Sequence, residues 1–217
     1  MNNEYYESLK NGLSSAVICD ALDSLGYRNQ SPRIAMQAFT GINILAGRCK
    51  TTLWTDMFDI DTRPYELELQ AVDSCQPGDV LIAAAGGSNR SGIWGELLST
   101  AAMNAGCRGV IVHGGVRDIE KMTAMGFPVF ASARNIYDSL NRQRVIDIDI
   151  QVEIDTVIIA SGDLVFADVD GIVFVPKAVE EEVIKRAFHK VQDESITRNA
   201  IKNGMKATEA YKTYGIL

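Results

Sequence analysis

Several features that mark common classes of protein are missing from this sequence of 217 residues. The four cysteines form no C-x-x-C pair, which argues against a zinc knuckle and a disulfide framework and favours buried free thiols in a reducing compartment. No apolar run reaches the roughly 20 residues that a transmembrane helix needs, and the start of the sequence lacks the basic and apolar segments of a secretion signal. We therefore expect a cytoplasmic protein that does not enter a membrane.

A basic surface is missing as well. The formal net charge is -7 at pH 7, the sequence pI is about 4.9, and the lysines and arginines do not cluster. Proteins that bind along the phosphate backbone of a nucleic acid need such a cluster of positive charge, so we expect no direct binding of nucleic acid. A chain of 217 residues with 47% hydrophobic content can build one sizeable core, and we expect residues 1–217 to form a single domain.

The sequence does contain an alternation of helix and strand patterns. "LSSAVICDALDSLG" predicts an amphipathic helix capped by its serine pair, and Pro64 predicts the first turn of a helix that continues through "YELELQAVDS". There follow a strand in "VLIAAA", a helix in "IWGELLSTAAMNAG", a strand in "GVIVHGG", a short helix in "DIEKMTAMG" and a strand in "FPVFA". This order indicates an α/β fold whose strands are partly parallel.

The last third of the chain has a different pattern. Alternating apolar residues in "VIDIDIQVEI" and the turns within "DTVIIASGDLVFADVDGIVFVP" predict a β-rich lobe. Beyond Pro176, "KAVEEEVIKRAFHKVQDESITRNAIKNG" predicts a long charged helix with a single apolar stripe. The stripe consists of Val179, Val183, Ile184, Ala187 and Val191.

The first candidate for chemistry is the glycine-rich loop "GGSNRSG" and the helix start that follows it. If Gly95 and Glu96 lie in the first helical turn, the amides of Leu97 and Leu98 are unsatisfied and lie at the positive end of the helix dipole, where a small carboxylate can bind. Helix starts after glycine loops are common, and an acid such as Glu96 is favourable there without a ligand. A purely structural role is therefore an open alternative.

The second candidate is the pair Arg117 and Asp118, which follows the strand "GVIVHGG". The guanidinium of an arginine can donate two parallel hydrogen bonds to a carboxylate, and an ionised aspartate can hold a hard divalent cation. A surface ion pair or a helix cap would explain the dipeptide equally well. Residues 97–116 can supply a helix and a return strand, however, and this would bring Glu96 and Arg117 to the same edge of a parallel layer, where ligands bind.

These motifs carry a family resemblance. The segment from Trp94 to Ala131 resembles the signature region of the RraA-like family, which includes the 4-hydroxy-4-methyl-2-oxoglutarate/4-carboxy-4-hydroxy-2-oxoadipate aldolases and the regulator of ribonuclease E activity A. Further matches are "SSAVICDAL", "AGRCKT", "QPGDVL" and "GDLVFADVDGIVFVP", so the resemblance spans most of the chain. It implies a swivelling β/β/α domain with mixed sheets, flanking helices and a long C-terminal helix. It also implies homotrimers or homohexamers with active sites at subunit interfaces.

The resemblance assigns roles to individual residues. It implies that Asp118 holds Mg²⁺ or Mn²⁺, that Arg117 contacts pyruvate or its enolate, and that the amides at Leu97 and Leu98, after Gly95, hold the pyruvate carboxylate. The aldolases usually have an aspartate where this chain has Glu96, which would hold metal-bound water. Glutamate is longer by one methylene, about 1.5 Å.

Three further positions have two interpretations each. Arg90 could recognise a second substrate carboxylate or be a surface cation. His113 is expected to be packed or hydrogen-bonded rather than a ligand, although its near-neutral pKa leaves proton transfer open. Glu194 could reach the metal of a neighbouring subunit, as a glutamate does in some family aldolases, or belong to a solvated helix face.

The expected function is that of a metal-dependent class II lyase, which cleaves a 4-hydroxy-2-oxo acid and releases pyruvate. The same chemistry would decarboxylate oxaloacetate as a side activity. The alternative, from the other branch of the family, is a non-catalytic protein that binds and restrains a ribonuclease. A methyltransferase finds little support, because there is no glycine-rich loop for S-adenosylmethionine followed by an acidic strand end.

Overall fold

The computed structural model describes residues 3–216 as a mixed α/β protein. Its helices are α1 (Asn3–Gly12), α2 (Ser15–Ser24), α3 (Glu66–Asp73), α4 (Glu96–Asn104), α5 (Ile119–Met125), α6 (Glu180–Lys202) and α7 (Ala207–Tyr214). Its strands are β1 (Gln37–Ala38), β2 (Leu45–Asp56), β3 (Asp79–Ala84), β4 (Gly92–Trp94), β5 (Gly109–Val116), β6 (Val129–Arg134), β7 (Gln143–Ile148), β8 (Val152–Ile154), β9 (Val157–Ile159), β10 (Leu164–Ala167) and β11 (Ile172–Val175).

The main sheet has a parallel centre with antiparallel margins. Strands β2, β3, β5 and β6 run parallel in the spatial order β6-β5-β3-β2, and β4 adds a short parallel pairing beside the end of β5. On the β2 side β10 and β11 continue antiparallel, β7 also pairs with β2, and β1 pairs with β6. The strands of the parallel centre are nearly continuous apolar runs, because helices or a hairpin cover both faces.

The core consists of three apolar clusters. The first lies between the parallel strands and helices α3, α4 and α5, and includes Trp54, Trp94 and Phe127. The second joins α1, α2 and α6 to one face of β10 and β11. The third lies beneath the β8–β9 hairpin on the opposite face of the sheet. The packing of helices on the first cluster fixes where α4 and α5 begin, and hence where the candidate site lies.

Most of the predicted elements are confirmed, as is the fold class. The α2 helix is capped as expected, since the Ser14 hydroxyl accepts the amide proton of Val17 at 3.4 Å. The long charged helix is α6, preceded by a short 3₁₀ turn at Lys177–Val179. The cysteines are free thiols, three of them buried. No helix within residues 3–216 is long and apolar enough to cross a membrane.

Two boundaries differ from the predictions. The helix predicted from Pro64 begins at Glu66, because Tyr65 adopts the left-handed region with φ 62°. The helix predicted from Ile93 begins at Glu96, because the preceding residues form strand β4 and Trp94 pairs with Val116 of β5. This short strand holds the start of α4 beside the end of β5.

Candidate functional site

The two predicted segments meet at the carboxyl edge of the parallel strands. The amide of Arg117 donates to the carbonyl of Trp94 at 2.9 Å, which ties the end of β5 to the end of β4. Just beyond this contact, the amide of Glu96 donates to Oδ2 of Asp118 at 3.3 Å. The first turn of α4 and the Arg117-Asp118 pair are therefore neighbours.

The backbone conformation and the weak contacts of Asp118 leave its carboxylate available to a ligand. Its backbone has φ 55° and ψ 33°, a strained left-handed conformation for a residue other than glycine, and its side chain does not cap the following helix α5. Besides the long contact with the Glu96 amide, its carboxylate has a loose ion pair in which Nε of Arg117 lies 3.9 Å from Oδ2. The side chain is 38% exposed. A strained backbone and weak side-chain contacts suit a carboxylate that binds something else.

The start of α4 has the features of a carboxylate site. Its N-cap is Gly95, which has no side chain to bond the amides of Leu97 and Leu98. The position of this turn is fixed by Ser99, whose hydroxyl accepts the indole proton of Trp94 at 2.8 Å and donates to the carbonyl of Gly95 at 2.9 Å. These amides therefore present the positive end of the α4 dipole to a ligand.

A cavity of about 300 Å³ lies in front of this edge. It is closed by the start of α4, the Arg117-Asp118 pair, helix α3 and the segment that follows β6. Its lining consists of Tyr65, Glu68, Leu69, Gly92, Ile93, Gly95, Leu97, Leu98, Arg117, Asp118, Asp138 and Ser139. A second cavity of about 540 Å³ shares Arg117 and Asp118 with the first and also contains Arg134, Asn135 and Ile136.

Four polar residues of the lining were not predicted from the sequence: Tyr65, Glu68, Asp138 and Ser139. The Tyr65 hydroxyl donates to Oδ2 of Asp138 at 3.0 Å, and a terminal nitrogen of Arg117 lies 3.5 Å from Oδ1 of the same carboxylate. Asp138 thus links Tyr65 to the arginine of the site. We refer to Tyr65, Glu68 and Asp138 as the acidic wall.

Burial changes the titration of the acidic wall. Desolvation, assisted by the nearby charge of Asp138, raises the pKa of Glu68 to about 8, although Arg117 opposes the shift. Desolvation and the hydrogen bond to Asp138 raise the pKa of Tyr65 to about 12. The raised pKa keeps the Glu68 carboxyl group mostly protonated at neutral pH.

Glu68→Gln is expected to change how stability depends on pH. In the wild-type protein the unfolded chain ionises Glu68 near pH 4.5 and the folded chain only near pH 8, so the free energy of unfolding falls as pH rises between these values. The loss at pH 8, relative to pH values below 4.5, is on the order of 4 kcal/mol. Glutamine cannot ionise, so the variant should not show this pH-dependent loss of unfolding free energy. Urea unfolding of both proteins at pH 5 and pH 8 measures the difference, and an equal pH dependence in the two would contradict the raised pKa.

Glu96 and Arg90 are not among the residues that line the cavity, although the Glu96 amide contacts Asp118. The carboxylate of Glu96 accepts a hydrogen bond from the Thr100 hydroxyl at 3.2 Å, along its own helix. The guanidinium of Arg90 stacks 4.5 Å from the ring centre of Phe58, and Arg90 does not line the cavity. Metal-water binding by Glu96 and substrate binding by Arg90 stay predictions.

His113 and Glu194 lie outside the lining of the cavity, and their roles stay predictions. His113 lies in β5, half-buried, and burial lowers its pKa. Its Nδ1 is buried and has no hydrogen-bond partner among residues 3–216. Glu194 lies in α6 and pairs with Arg198 one helical turn later, with 3.4 Å between the charged atoms. Neither residue reaches the cavity within this chain.

The fold and the site together define a class: an α/β protein that presents a helix amino terminus, a guanidinium and a carboxylate to one small cavity at a sheet edge. Comparison with known families specifies this further. The sequence profile of the RraA-like family, described as Aldolase/RraA, matches residues 15–174. The chain belongs to the RraA-like family.

Individual relatives agree with this membership. The chain is 32% identical over 143 residues to a protein of Halalkalibacterium halodurans with the provisional name 4-hydroxy-4-methyl-2-oxoglutarate aldolase, a match that covers 66% of this chain and 68% of the relative. A crystal structure of an uncharacterized protein from Pseudomonas syringae pv. tomato has a TM-score of 0.85 at 27% identity and covers 99% of this chain and 95% of the other. Streptomyces coelicolor RraAS2, described as an unusual member of the RNase ES inhibitor RraA protein family, has a TM-score of 0.79 at 29% identity, covering 91% and 97%.

Proposed function

We propose that this protein is a divalent-metal-dependent lyase that cleaves a 4-hydroxy-2-oxo acid and releases pyruvate, with decarboxylation of oxaloacetate as a side activity. The observation that carries the proposal is the meeting of Asp118, Arg117 and the uncapped amino terminus of α4 at one cavity. The aldolase name of the H. halodurans relative supports the same reaction class.

Mg²⁺ or Mn²⁺ fits the residues at this edge. Asp118 offers a hard oxygen donor that is occupied only by a long hydrogen bond and a loose ion pair, and hard oxygen ligands suit both ions. Within the described residues 3–216 no group of three His, Cys, Asp or Glu side chains could hold a metal, so water and substrate would complete the coordination, with Glu96 holding a metal-bound water. A bound divalent ion supplies Lewis acidity, which stabilises negative charge on the 2-oxo group.

The chain's own residues would bind and orient the 2-oxo acid. The amides of Leu97 and Leu98 would receive its carboxylate at the positive end of α4. Arg117 would donate hydrogen bonds to the oxygen on which charge develops as the carbon-carbon bond breaks. The same charge develops when oxaloacetate loses carbon dioxide, and this accounts for the proposed side activity.

Removal and return of the metal tests the proposal. After dialysis against a chelator, the protein is assayed for pyruvate release from several 4-hydroxy-2-oxo acids and from oxaloacetate. Activity should be lost and should return with Mg²⁺ or Mn²⁺. If none of the substrates gives metal-dependent pyruvate, the proposed function is wrong.

Gly95→Ala is expected to lower kcat/KM by about 10- to 100-fold, an effect like that of disturbing the support of a metal ligand. A Cβ atom at this position would lie 2.7 Å from Oδ2 of Asp118 and 3.3 Å from Cγ of Arg117, so both side chains would have to move. The matched control is Gly171→Ala, since a Cβ there would meet only the Ser31 hydroxyl at 3.9 Å. Steady-state assays of the two variants measure the effect, and equal activity would contradict the proposed placement.

We further propose a homotrimer or homohexamer whose neighbouring subunit covers the cavity. Large apolar side chains at the edge of the site support this arrangement, since Leu97 is 78% exposed and Ile136 is 88% exposed. Glu194 of a neighbouring copy is the residue nominated to approach the metal. Analytical ultracentrifugation of the purified protein measures the assembly directly.

The competing function is binding and restraint of a ribonuclease without catalysis. The likeness to Streptomyces coelicolor RraAS2 favours it, because that protein is described as a member of an RNase inhibitor family. The net charge of -7 would suit a partner with a basic surface. Specific capture of a ribonuclease, together with no pyruvate release in assays that contain metal, would establish this function instead.

A further inference from the structure

The wall of the cavity that faces the start of α4 contains acids and a hydroxyl but no cation. Among the described residues that line the cavity, Arg117 is the only one with a positive charge. The acidic wall of Tyr65, Glu68 and Asp138 lies within reach of that guanidinium. The chemistry of this wall limits what the distal half of a substrate can be.

Glu68 has no protein partner for its carboxyl group. The residue is 7% exposed, lines the cavity, and forms no hydrogen bond or ion pair with any of residues 3–216. The fully buried side-chain nitrogen and oxygen atoms without a partner among residues 3–216 belong to His113 and Gln143, so the Glu68 oxygens are open to the cavity, where water or a ligand can bind them. A protonated carboxyl group both donates and accepts, so it matches a hydroxyl group of a ligand.

The charges of the cavity balance a single substrate carboxylate. With Glu68 uncharged, Arg117, Asp118 and Asp138 together contribute one net negative charge. A bound divalent ion changes this to one net positive charge, equal and opposite to one carboxylate. A second carboxylate at the acidic wall would lie close to Asp138, and no described lining residue of this chain other than Arg117 has a positive charge to pair with it, which is unfavourable in a partly enclosed site.

We propose that this cavity selects 4-hydroxy-2-oxo acids with a single carboxylate and a hydroxylated distal half, so that cleavage yields pyruvate and an uncharged aldehyde. The inference rests on the proposed function for the type of reaction. The bond between C3 and C4 breaks and its electron pair stays with the pyruvate half. The C4 hydroxyl loses its proton as C4 becomes a carbonyl, and C3 gains a proton, so no oxidant or reductant is needed. Oxaloacetate, with its second carboxylate, is then turned over more slowly than such substrates, which agrees with its proposed place as a side activity.

Two arginines near the cavity could reverse this preference if they reached the substrate. Arg90 is stacked on Phe58 and lies outside the lining. Arg134 lines the second cavity, whose lining shares Arg117 and Asp118 with the first but contains no residue of the acidic wall. A dicarboxylate would therefore have to extend toward Arg134 and leave Glu68 without a partner.

Binding of a matched pair of uncleavable acids tests the selectivity without any turnover. The pair is 5-hydroxy-2-oxopentanoate and 2-oxoglutarate, which differ only in a distal hydroxymethyl or carboxylate group. By calorimetry with Mg²⁺ present, the hydroxy acid should bind at least about tenfold more tightly. Asp138→Asn removes the repelling charge and should reduce the ratio to about threefold or less, whereas Glu153→Gln on the exposed face of β8 should leave it unchanged. Equal or tighter binding of 2-oxoglutarate by the wild-type protein overturns the inference.

A cleavage assay separates this inference from the proposed function. Metal-dependent kcat/KM should be at least about tenfold higher for 2-oxo-3-deoxyhexonate, which yields glyceraldehyde, than for 4-hydroxy-4-methyl-2-oxoglutarate. A preference for the dicarboxylate that disappears in Arg134→Ala overturns the inference and leaves the lyase function intact. If neither substrate yields metal-dependent pyruvate, the lyase function fails, and the order of binding affinities still decides the inference.

Discussion

Asp118→Asn is expected to lower kcat/KM for metal-dependent pyruvate release by about 1,000-fold, equivalent to about 4 kcal/mol of transition-state stabilisation. Among residues 3–216, the carboxylate at this position is the only one that both lines the cavity and contacts the start of α4. Asparagine keeps the shape of the side chain but loses the charge that would hold a divalent cation. Initial rates at saturating Mg²⁺ measure the effect.

The matched control for Asp118→Asn is Glu120→Gln, which removes an exposed negative charge from the first turn of α5. This control should retain nearly all of the activity. Mn²⁺ affinity, measured by calorimetry, should fall in the Asp118 variant and stay constant in the control. If Asp118→Asn kept more than a third of wild-type activity, Asp118 would not be the residue that holds the metal.

Arg117→Lys is expected to lower kcat/KM by about 100-fold, or about 2.7 kcal/mol. The guanidinium lines the cavity and lies 3.5 Å from Asp138 and 3.9 Å from Asp118. Only a planar group with several donors can contact both carboxylates and a substrate at the same time. Lysine keeps the charge but offers a single ammonium group. Steady-state kinetics with one 4-hydroxy-2-oxo acid measure the loss.

Metal binding distinguishes the two variants. Arg117→Lys should bind Mn²⁺ about as well as the wild-type protein, because the arginine would contact the substrate and not the ion. Arg186→Lys serves as the control, since Arg186 pairs with Glu182 on the exposed surface of α6. A kcat/KM for Arg117→Lys within threefold of that of the control would exclude a direct role for the guanidinium in catalysis.

The sequence predicts the centre of the site because its signals are local. Glycines and apolar runs mark the ends of β5 and the start of α4, and the carboxyl ends of parallel strands share an edge. Arg117, Asp118 and Gly95 could therefore be expected to lie together before their contacts were known. The family resemblance added the roles of these residues, and the sequence profile confirms the membership.

The acidic wall could not be predicted in the same way. Glu68 stands between two leucines in a helix pattern and resembles a residue on a solvated face, but α3 packs against α4 and β7 and buries it. Asp138 comes from a segment after β6 that has no periodic pattern, and it reaches Tyr65 across 73 positions of the chain. Such long-range contacts depend on the packing of whole elements and leave no local signal.

Strand β4 and Arg90 illustrate the same limit. Ile93 and Trp94 fit the apolar stripe of a helix, and only their pairing with the distant strand β5 makes them a strand. Arg90 stacks on Phe58, a loop residue 32 positions earlier whose position no periodicity fixes. The direction of a side chain on a loop follows from contacts that the sequence does not display.

Crystals soaked with Mn²⁺ and oxalate, a stable mimic of the pyruvate enolate, test the central claim most directly. We predict anomalous density for Mn²⁺ beside the carboxylate of Asp118, with oxalate bound to Arg117 and to the amides of Leu97 and Leu98. Manganese bound elsewhere, or a cavity that contains neither ion nor oxalate, would contradict the account.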